Sequence, residues 1–293
     1  MNGWRTVAIE SPMQLSERDN CLVCFDPETK AESIVPLAQL REIMVMHRKT
    51  SLTSGLMAAC AVNGIQIVFC DRKYQPVGIL LSLDQHNETA GMLMAQARWD
   101  DGRKDDIWAL IVRDKIRMQT MLLSMLGKSV PRELPALYGM VNSGDGLNCE
   151  GYAAKLYFPA LFGDGFVRRE ASDINAGLNY GYSIILSCMS RIIVSYGHTP
   201  ALGIHHCNRE NRLNLACDLM EPFRPFVDLL VYENGGGELD MNLRKKLIGV
   251  LNMGCVYKNM RTTVETAMNC YALDVFKALV DATRQIGEID FER

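Results

Sequence analysis

A change of hydrophobic period near residue 88 constrains this chain more than any other feature. Before it, short β-branched and apolar runs recur: RTVAIE, NCLVCFD, SIVPLAQL, EIMVMH, IQIVFCD and VGILLS, punctuated by turn chemistry such as DPETK and NG. After it, apolar residues fall at three- and four-residue spacing over long segments, as in IWALIVRDKIRMQTMLLSML and AGLNYGYSIILSCMSRIIVSYG. A period of two and a period of 3.6 cannot share one element. The expected fold is therefore α+β: a small N-terminal β-sheet domain over 1–88, then a larger all-α domain over 89–293. Within the first part, TSGLMAACAV (53–62) breaks the strand pattern with helix formers and should lay one helix on the sheet. The polar stretch DQHNE is the expected linker.

Charge and cysteine usage narrow the class. A net charge of −3 leaves no global excess of Lys and Arg for nucleic acid, so any such binding must be local. The basic clusters Arg113/Lys115/Arg117, Arg168/Arg169, Arg209/Arg212 and Arg244/Lys245/Lys246 are the candidates, each equally readable as a solvated helix face. No apolar run approaches the ~20 residues of a membrane span, and the N-terminus shows no signal-peptide pattern, so the expected location is the cytoplasm, without a membrane. The ten cysteines are then expected as free thiols. That includes Cys21 and Cys24, a lone CxxC that no second pair completes into a zinc set.

Coordinating chemistry gathers in LGIHHCNRENRLNLACDLMEPFRP (202–225), which holds two of the five histidines upstream of Asp218 and Glu221. LNLACDLME has helical character, a spacing that would set both carboxylates on one face. His206, in the loop after Gly203, could fold back toward them, and imidazole with carboxylate suits Mn²⁺ or, less readily, Mg²⁺. Glu150 is a third candidate, at the entrance of the helix opened by GLNCEGYAAKLYFPALF, where the macrodipole also favours negative charge. Without further information, bland roles are favoured: a helix-dipole complement, a local hydrogen bond or salt bridge, ordinary loop histidines. Spacing alone does not choose.

The runs EGYAAKLYFPALFG (150–163), INAGLNYGYSII (174–185) and LGIHHCNRENRLNLACDLMEPFRPFVD (202–228) resemble the CRISPR-associated integrase of the spacer-acquisition machinery, in its type II form. The resemblance extends to GIQIVFCDRKYQPVG (64–78) and IWALIVRDKIRMQ (107–119). It implies a β-domain followed by a helical catalytic domain holding Mg²⁺ or Mn²⁺ through Glu150, His206 and Glu221; the apolar face of the small sheet, which needs cover, makes the β-domain the expected dimerisation surface. His206 rather than His205 follows from the Gly-x-x-His register. Asp218 is the implied accompanying acid; around the site, Asn179 is a candidate supporting residue and Arg224, Lys155, Arg168 and Arg169 are candidate DNA contacts, each also readable as an ordinary structural residue. The implied function is insertion of short foreign DNA fragments into a CRISPR array, their 3′-hydroxyl ends attacking the repeat. The implied partners are spacer and repeat DNA, a second small adaptation protein bridging two homodimers and, as an open question, the type II effector nuclease. Two other readings stand beside it: a general metal-dependent nuclease of branched or single-stranded DNA, and a non-catalytic DNA-bridging scaffold.

Overall fold

A computed structural model describes residues 3, 5–72, 76–80, 82 and 88–292. It divides into two compact units, Met1–Asn87 and Glu88–Arg293. The proposed linker DQHNE falls almost wholly outside the described residues, as do positions 73–75 of the 64–78 run.

The first unit contains β1 (Arg5–Ile9), β2 (Gln14–Arg18), β3 (Cys21–Phe25), β4 (Glu32–Pro36), β5 (Leu40–Val45), β6 (Ser51–Leu52), α1 (Ser54–Val62), β7 (Gln66–Cys70) and β8 (Pro76–Leu80). Two four-stranded sheets form, ordered β1-β5-β7-β8 and β4-β3-β2-β6. In the first, β1, β5 and β7 run parallel and β8 antiparallel. Leu15, Leu22, Ile43, Leu56, Cys60 and Ile67, drawn from both sheets and α1, belong to the core of this unit, all at most 1% exposed. The helix expected over 53–62 is α1, begun where the Thr53 hydroxyl accepts the Leu56 amide. Strand β2 (QLSER) had no counterpart among the sequence runs. Only Leu15 of its five residues is fully buried, so the alternation that marks a strand is faint.

The second unit holds α2 (Thr89–Gln96), α3 (Asp101–Met125), α4 (Glu133–Met140), α5 (Cys149–Phe162), α6 (Asp173–Ser195), α7 (Asn214–Leu219), α8 (Arg224–Glu233), α9 (Met241–Ile248), β9 (Gly254–Tyr257), β10 (Met260–Thr263), α10 (Val264–Val280) and β11 (Ile289–Phe291). It is largely helical, though not all-α: a three-stranded sheet, β10-β9-β11, lies near its C-terminus. Strands of three or four residues are too short to display a period of two. The hairpin turn uses Lys258 and Asn259, both at positive φ, in place of the Asn-Gly pair that would have announced it.

Helices α3 and α6 form the middle of this unit. Along α3, Ile107, Trp108, Ile111, Val112, Ile116 and Leu122 are buried, and the helix touches α4, α5, α8 and α10. On α6, Gly181 lets α8 and α9 approach closely: a Cβ there would stand 2.3 Å from Val227 Cγ1 and 3.0 Å from Leu247 Cδ2. Among the described residues no helix is long and apolar enough to cross a membrane. All ten cysteines are free thiols.

Candidate metal and DNA site

Glu150 owes its position to a tightly capped helix start. Asp145 and Asn148 sit in the left-handed region, at φ 52° and 53°. Asp145 accepts the amides of Cys149 and Glu150 at 2.8 and 2.9 Å, and Asn148 that of Gly151 at 3.2 Å. Three of the otherwise orphan amides of α5 are thereby satisfied. Glu150 then projects from the first turn into the unit.

The histidine segment is held by one carboxylate. Asp218, fully buried on α7, accepts the amides of Ile204 (2.6 Å), His205 (3.2 Å) and His206 (3.1 Å) and bonds His206 Nδ1 at 2.6 Å. The hydrogen bond to Asp218 raises the His206 pKa above its ordinary value, against the opposing effect of burial and with Glu221 and Glu150 adding to the rise. Gly203 makes the loop feasible, because a Cβ at this position would lie 2.3 Å from the His206 carbonyl oxygen and 2.8 Å from Asp218 Oδ2. The neighbouring His205 is used differently. Its ring stacks on buried Trp108, centroids 4.3 Å apart and planes within 3°. The two histidines therefore separate by role: His205 packs, and His206 presents Nε2 with Nδ1 tied down.

Asp218 and Glu221 do not share one helical face as their spacing predicts. Helix α7 stops at Leu219 and Glu221 opens a 3₁₀ turn over 221–223, so the second carboxylate leaves the first one's helical register. Glu221, 2% exposed, faces two cations: Arg224 at 2.7 Å through Oε1 and Lys115 at 2.6 Å through Oε2. Lys115 also reaches Glu150 Oε1 at 2.6 Å. Burial would push the Lys115 ammonium down, but Glu221 and then Glu150 hold it above the ordinary lysine value. Burial likewise opposes ionisation of Glu150, and Lys115 overcomes it to keep that carboxyl low.

Lys115 was expected in a basic surface patch with Arg113 and Arg117. That patch does not exist: Lys115 is 8% exposed, Arg113 donates to the Val141 carbonyl, and Arg117 pairs with Asp290 and the Ile289 carbonyl. A signal was available, since 107, 111 and 115 form one i,i+4 row and the first two are isoleucines. Trp108 was likewise missed, one position along the same helix.

The remaining site residues scatter. Arg168 donates to Asn175 Oδ1 (3.0 Å) and Asn179 Oδ1 (2.8 Å) and lies over the Tyr182 ring at 5.2 Å. Arg224 lies over the same ring at 4.7 Å, which links the Arg168–Asn179 pair to the glutamates. Beneath them Asp228 accepts the hydroxyls of Tyr157, at 2.8 Å, and Tyr182. Lys155 is exposed on α5, five residues and so about 140° around the helix from Glu150. Arg169 is exposed in the α5–α6 loop. Beside His206 a groove of about 450 Å³ is lined by Lys104, Arg209 and Arg212 together with Asn208, Asn211 and Asn214.

Among the described residues, no three acidic, histidine or cysteine side chains are drawn to metal-ligand distances. Lys115 stands where the two glutamates would otherwise meet. Their bridged oxygens are at most 5.2 Å apart, the two 2.6 Å legs laid end to end, whereas ligands ~2.1 Å from one cation lie within ~4.2 Å of each other. Two carboxylates and an imidazole whose other nitrogen is tied to a carboxylate are a donor set suited to Mg²⁺ or Mn²⁺. Glu221 Oε2 is buried and without a well-directed hydrogen bond, held by proximity of charge alone. The residues present fit such an ion.

Comparison with known proteins agrees on one family. Residues 7–234 match the family described as CRISPR associated protein Cas1. The CRISPR-associated endonuclease Cas1 of Neisseria meningitidis serogroup C (strain 8013) is 35% identical over 256 residues, which cover 85% of this chain and 83% of that protein. Among solved structures, a casposase bound to integration product superposes with a TM-score of 0.82 at 18% identity, over 97% of this chain and 92% of that one. A Cas6-RT-Cas1–Cas2 complex gives 0.74 at 16% identity, over 98% of this chain and 36% of that one. The family match and the Neisseria relative together establish that this chain belongs to the Cas1 family of CRISPR-associated proteins.

Proposed function

We propose that this chain works as the integrase of CRISPR adaptation, with Glu150, His206 and Glu221 as metal ligands for Mg²⁺ or Mn²⁺ and Asp218 as the positioning carboxylate behind His206. As a Cas1 endonuclease it acts on phosphodiesters. The observation that carries the site assignment is the meeting of Glu150 and Glu221 on one ammonium, beside an imidazole held by Asp218.

The reaction is a transesterification. The 3′-oxygen of the incoming fragment loses its proton and bonds to a phosphorus at the repeat boundary, while the bond from that phosphorus to the repeat's own 3′-oxygen breaks and the leaving oxygen takes up a proton. One phosphodiester forms as one is lost, so no nucleotide cofactor is consumed. When bound, the divalent ion supplies Lewis-acid polarisation of the phosphoryl oxygens and eases alkoxide formation at either oxygen. The chain's own contribution is positional. Asp218 keeps the proton on His206 Nδ1 and so frees Nε2; Arg224, packed against Tyr182, compensates the charge of Glu221. Arg168, Arg169, Lys155 and the groove arginines Arg209 and Arg212 are the proposed phosphate contacts, and Asn179 supports Arg168.

The proposed partners are spacer and repeat DNA and a Cas2-type protein joining two homodimers, in keeping with the Cas1–Cas2 assembly among the structural relatives. The β-domain over 1–88 is the proposed dimerisation domain and 89–293 the catalytic one. The type II form rests on the sequence runs quoted above, and genes of a type II effector beside this one would test it. A donor ending in a 3′-deoxy sugar should bind yet fail to join, and Cys207→Ala should leave joining intact. Joining of the 3′-deoxy donor, or a protein–DNA adduct that vanishes in Cys207→Ala, would overturn this mechanism. A water-using nuclease would cut DNA regardless of the donor end.

A further inference from the structure

Lys115 is a lysine in a place where lysine is rarely found. It sits on the inner row of α3 between buried Ile111 and Gln119, 8% exposed, with its ammonium 2.6 Å from one oxygen of each proposed metal-binding glutamate. Buried cations persist when paired, and this one is paired twice. Glu221 divides its two oxygens between two cations, Oε1 to Arg224 and Oε2 to Lys115. Glu150 gives Lys115 its Oε1. Lys115 therefore stands between the two glutamates, where a divalent ion shared by them would compete with it.

We infer that Lys115 is a tethered cation that takes the place of the divalent ion between Glu150 and Glu221 and withdraws when that ion arrives. The inference rests on the metal-site reading above and extends it: binding is an exchange of one cation for another. The chemistry of the side chain suits exchange. An ammonium on a four-carbon stem is a point charge with three rotatable donors and no fixed bidentate geometry, so an incoming divalent ion can replace it on both carboxylates. A guanidinium would hold the same oxygens in a fixed fork. Arg224 keeps its own oxygen of Glu221 and its stacking on Tyr182, so it has no need to move. The exchange also explains how buried Glu221 and half-buried Glu150 can coexist without a divalent ion: the lysine supplies the compensating charge and spares the site from mutual repulsion. On this inference the site is charge-balanced before the ion binds.

The wild-type protein itself provides the test. It is reductively methylated with ¹³C-formaldehyde in EDTA and again in saturating Mn²⁺, and labelling of Lys115 is read by peptide mass spectrometry against exposed Lys245. Labelling of Lys115 should rise several-fold with Mn²⁺ while Lys245 stays constant. Mn²⁺ affinity, followed by electron paramagnetic resonance, should tighten about ten-fold in Lys115→Met, in the range by which residues supporting a metal site change its affinity. In Lys115→Arg, which keeps the charge but adds the fork, it should be no tighter than in wild type. If Mn²⁺ binds the wild type and is lost in Glu150→Gln, yet Lys115 labelling does not change, the exchange is wrong and the metal site stands. If Mn²⁺ fails to bind the wild type, or binds Glu150→Gln and Glu221→Gln equally well, the metal-site reading falls and takes the exchange with it. The labelling arm uses no variant, so it decides even if Lys115→Met does not fold.

Discussion

Replacing Asp218 by asparagine keeps shape and volume and changes one thing: an acceptor oxygen becomes a donor amino group. Four donors converge on this carboxylate, Ile204 and His205 amides on Oδ2 and the His206 amide with His206 Nδ1 on Oδ1. Asparagine has one oxygen to offer. Kept on the Ile204 and His205 amides, it leaves the amino group facing His206. There it opposes the backbone N–H, and it donates to Nδ1 only if the ring proton moves to Nε2. The orphaned amide costs about 1–3 kcal/mol, and the loss of charge assistance elsewhere is partly offset by the lower cost of burying an amide than a carboxylate. For a unit of this size that amounts to a Tm lower by roughly 2–12 °C. The functional effect should be larger. A proton on Nε2 removes the lone pair that would meet the metal, and substitutions behind a ligating histidine cost about 10–100-fold in metal affinity. Calorimetric Mn²⁺ titration and scanning calorimetry in EDTA separate the two effects, and ¹⁵N couplings of the His206 ring report its tautomer. A folded Asp218→Asn protein with wild-type Mn²⁺ affinity would refute the tautomer reasoning and leave Asp218 only its loop-holding role.

Glu221→Gln should abolish DNA joining and retain the fold, whereas Glu221→Ala, which strips Lys115 and Arg224 of their shared partner, should cost about 3–5 kcal/mol in chemical denaturation. A fully stable Glu221→Ala would contradict the ion network. Gly203→Ala, whose methyl would meet the His206 carbonyl oxygen at 2.3 Å, should weaken Mn²⁺ binding by displacing the loop, and unchanged binding would show the loop yields freely. Burial lifts the Asp228 carboxyl from 3.8 to about 6, against the lowering effect of its two tyrosine donors. An acid whose folded pKa exceeds its unfolded one is worth most when protonated. Stability attributable to Asp228 is therefore present below about pH 4 and lost by about pH 6, a change of roughly 3 kcal/mol. The difference between wild type and Asp228→Asn across that window measures it; parallel pH profiles would refute it. Native thiol labelling should modify Cys207 first, as the exposed cysteine of the ten, and all ten should react once the chain is unfolded without reductant.

What the sequence could show follows from the range of the interactions involved. The change of period near residue 88 and the helix start at Glu150 are local, and they were readable; the capping roles of Asp145 and Asn148 were not. Glu150 and His206 lie in recognisable runs, and the register Gly203-Ile204-His205-His206 puts the second histidine against Asp218. Other features depended on partners far along the chain. Lys115 reads as one charge among Arg113 and Arg117 until α5 and the 221–223 turn are packed against it, 35 positions from Glu150. The separate duties of Asp218 and Glu221 were hidden because both follow LNLAC in what looks like continuous helix. The break comes at Met220 and Pro222, and it turns one carboxylate to the backbone and the other to the cations. Strands β9 to β11 were too short to carry a period at all.

The triangle of Lys115, Glu150 and Glu221 also sets a schedule. Its first two corners leave the ribosome early, but Glu221 follows Glu150 by 71 positions, roughly 4–14 s at ordinary bacterial rates of synthesis. Until then the nascent chain lacks the second glutamate of the proposed metal site. On the proposed assignment, the full set of metal ligands exists only once synthesis has reached the last quarter of the chain.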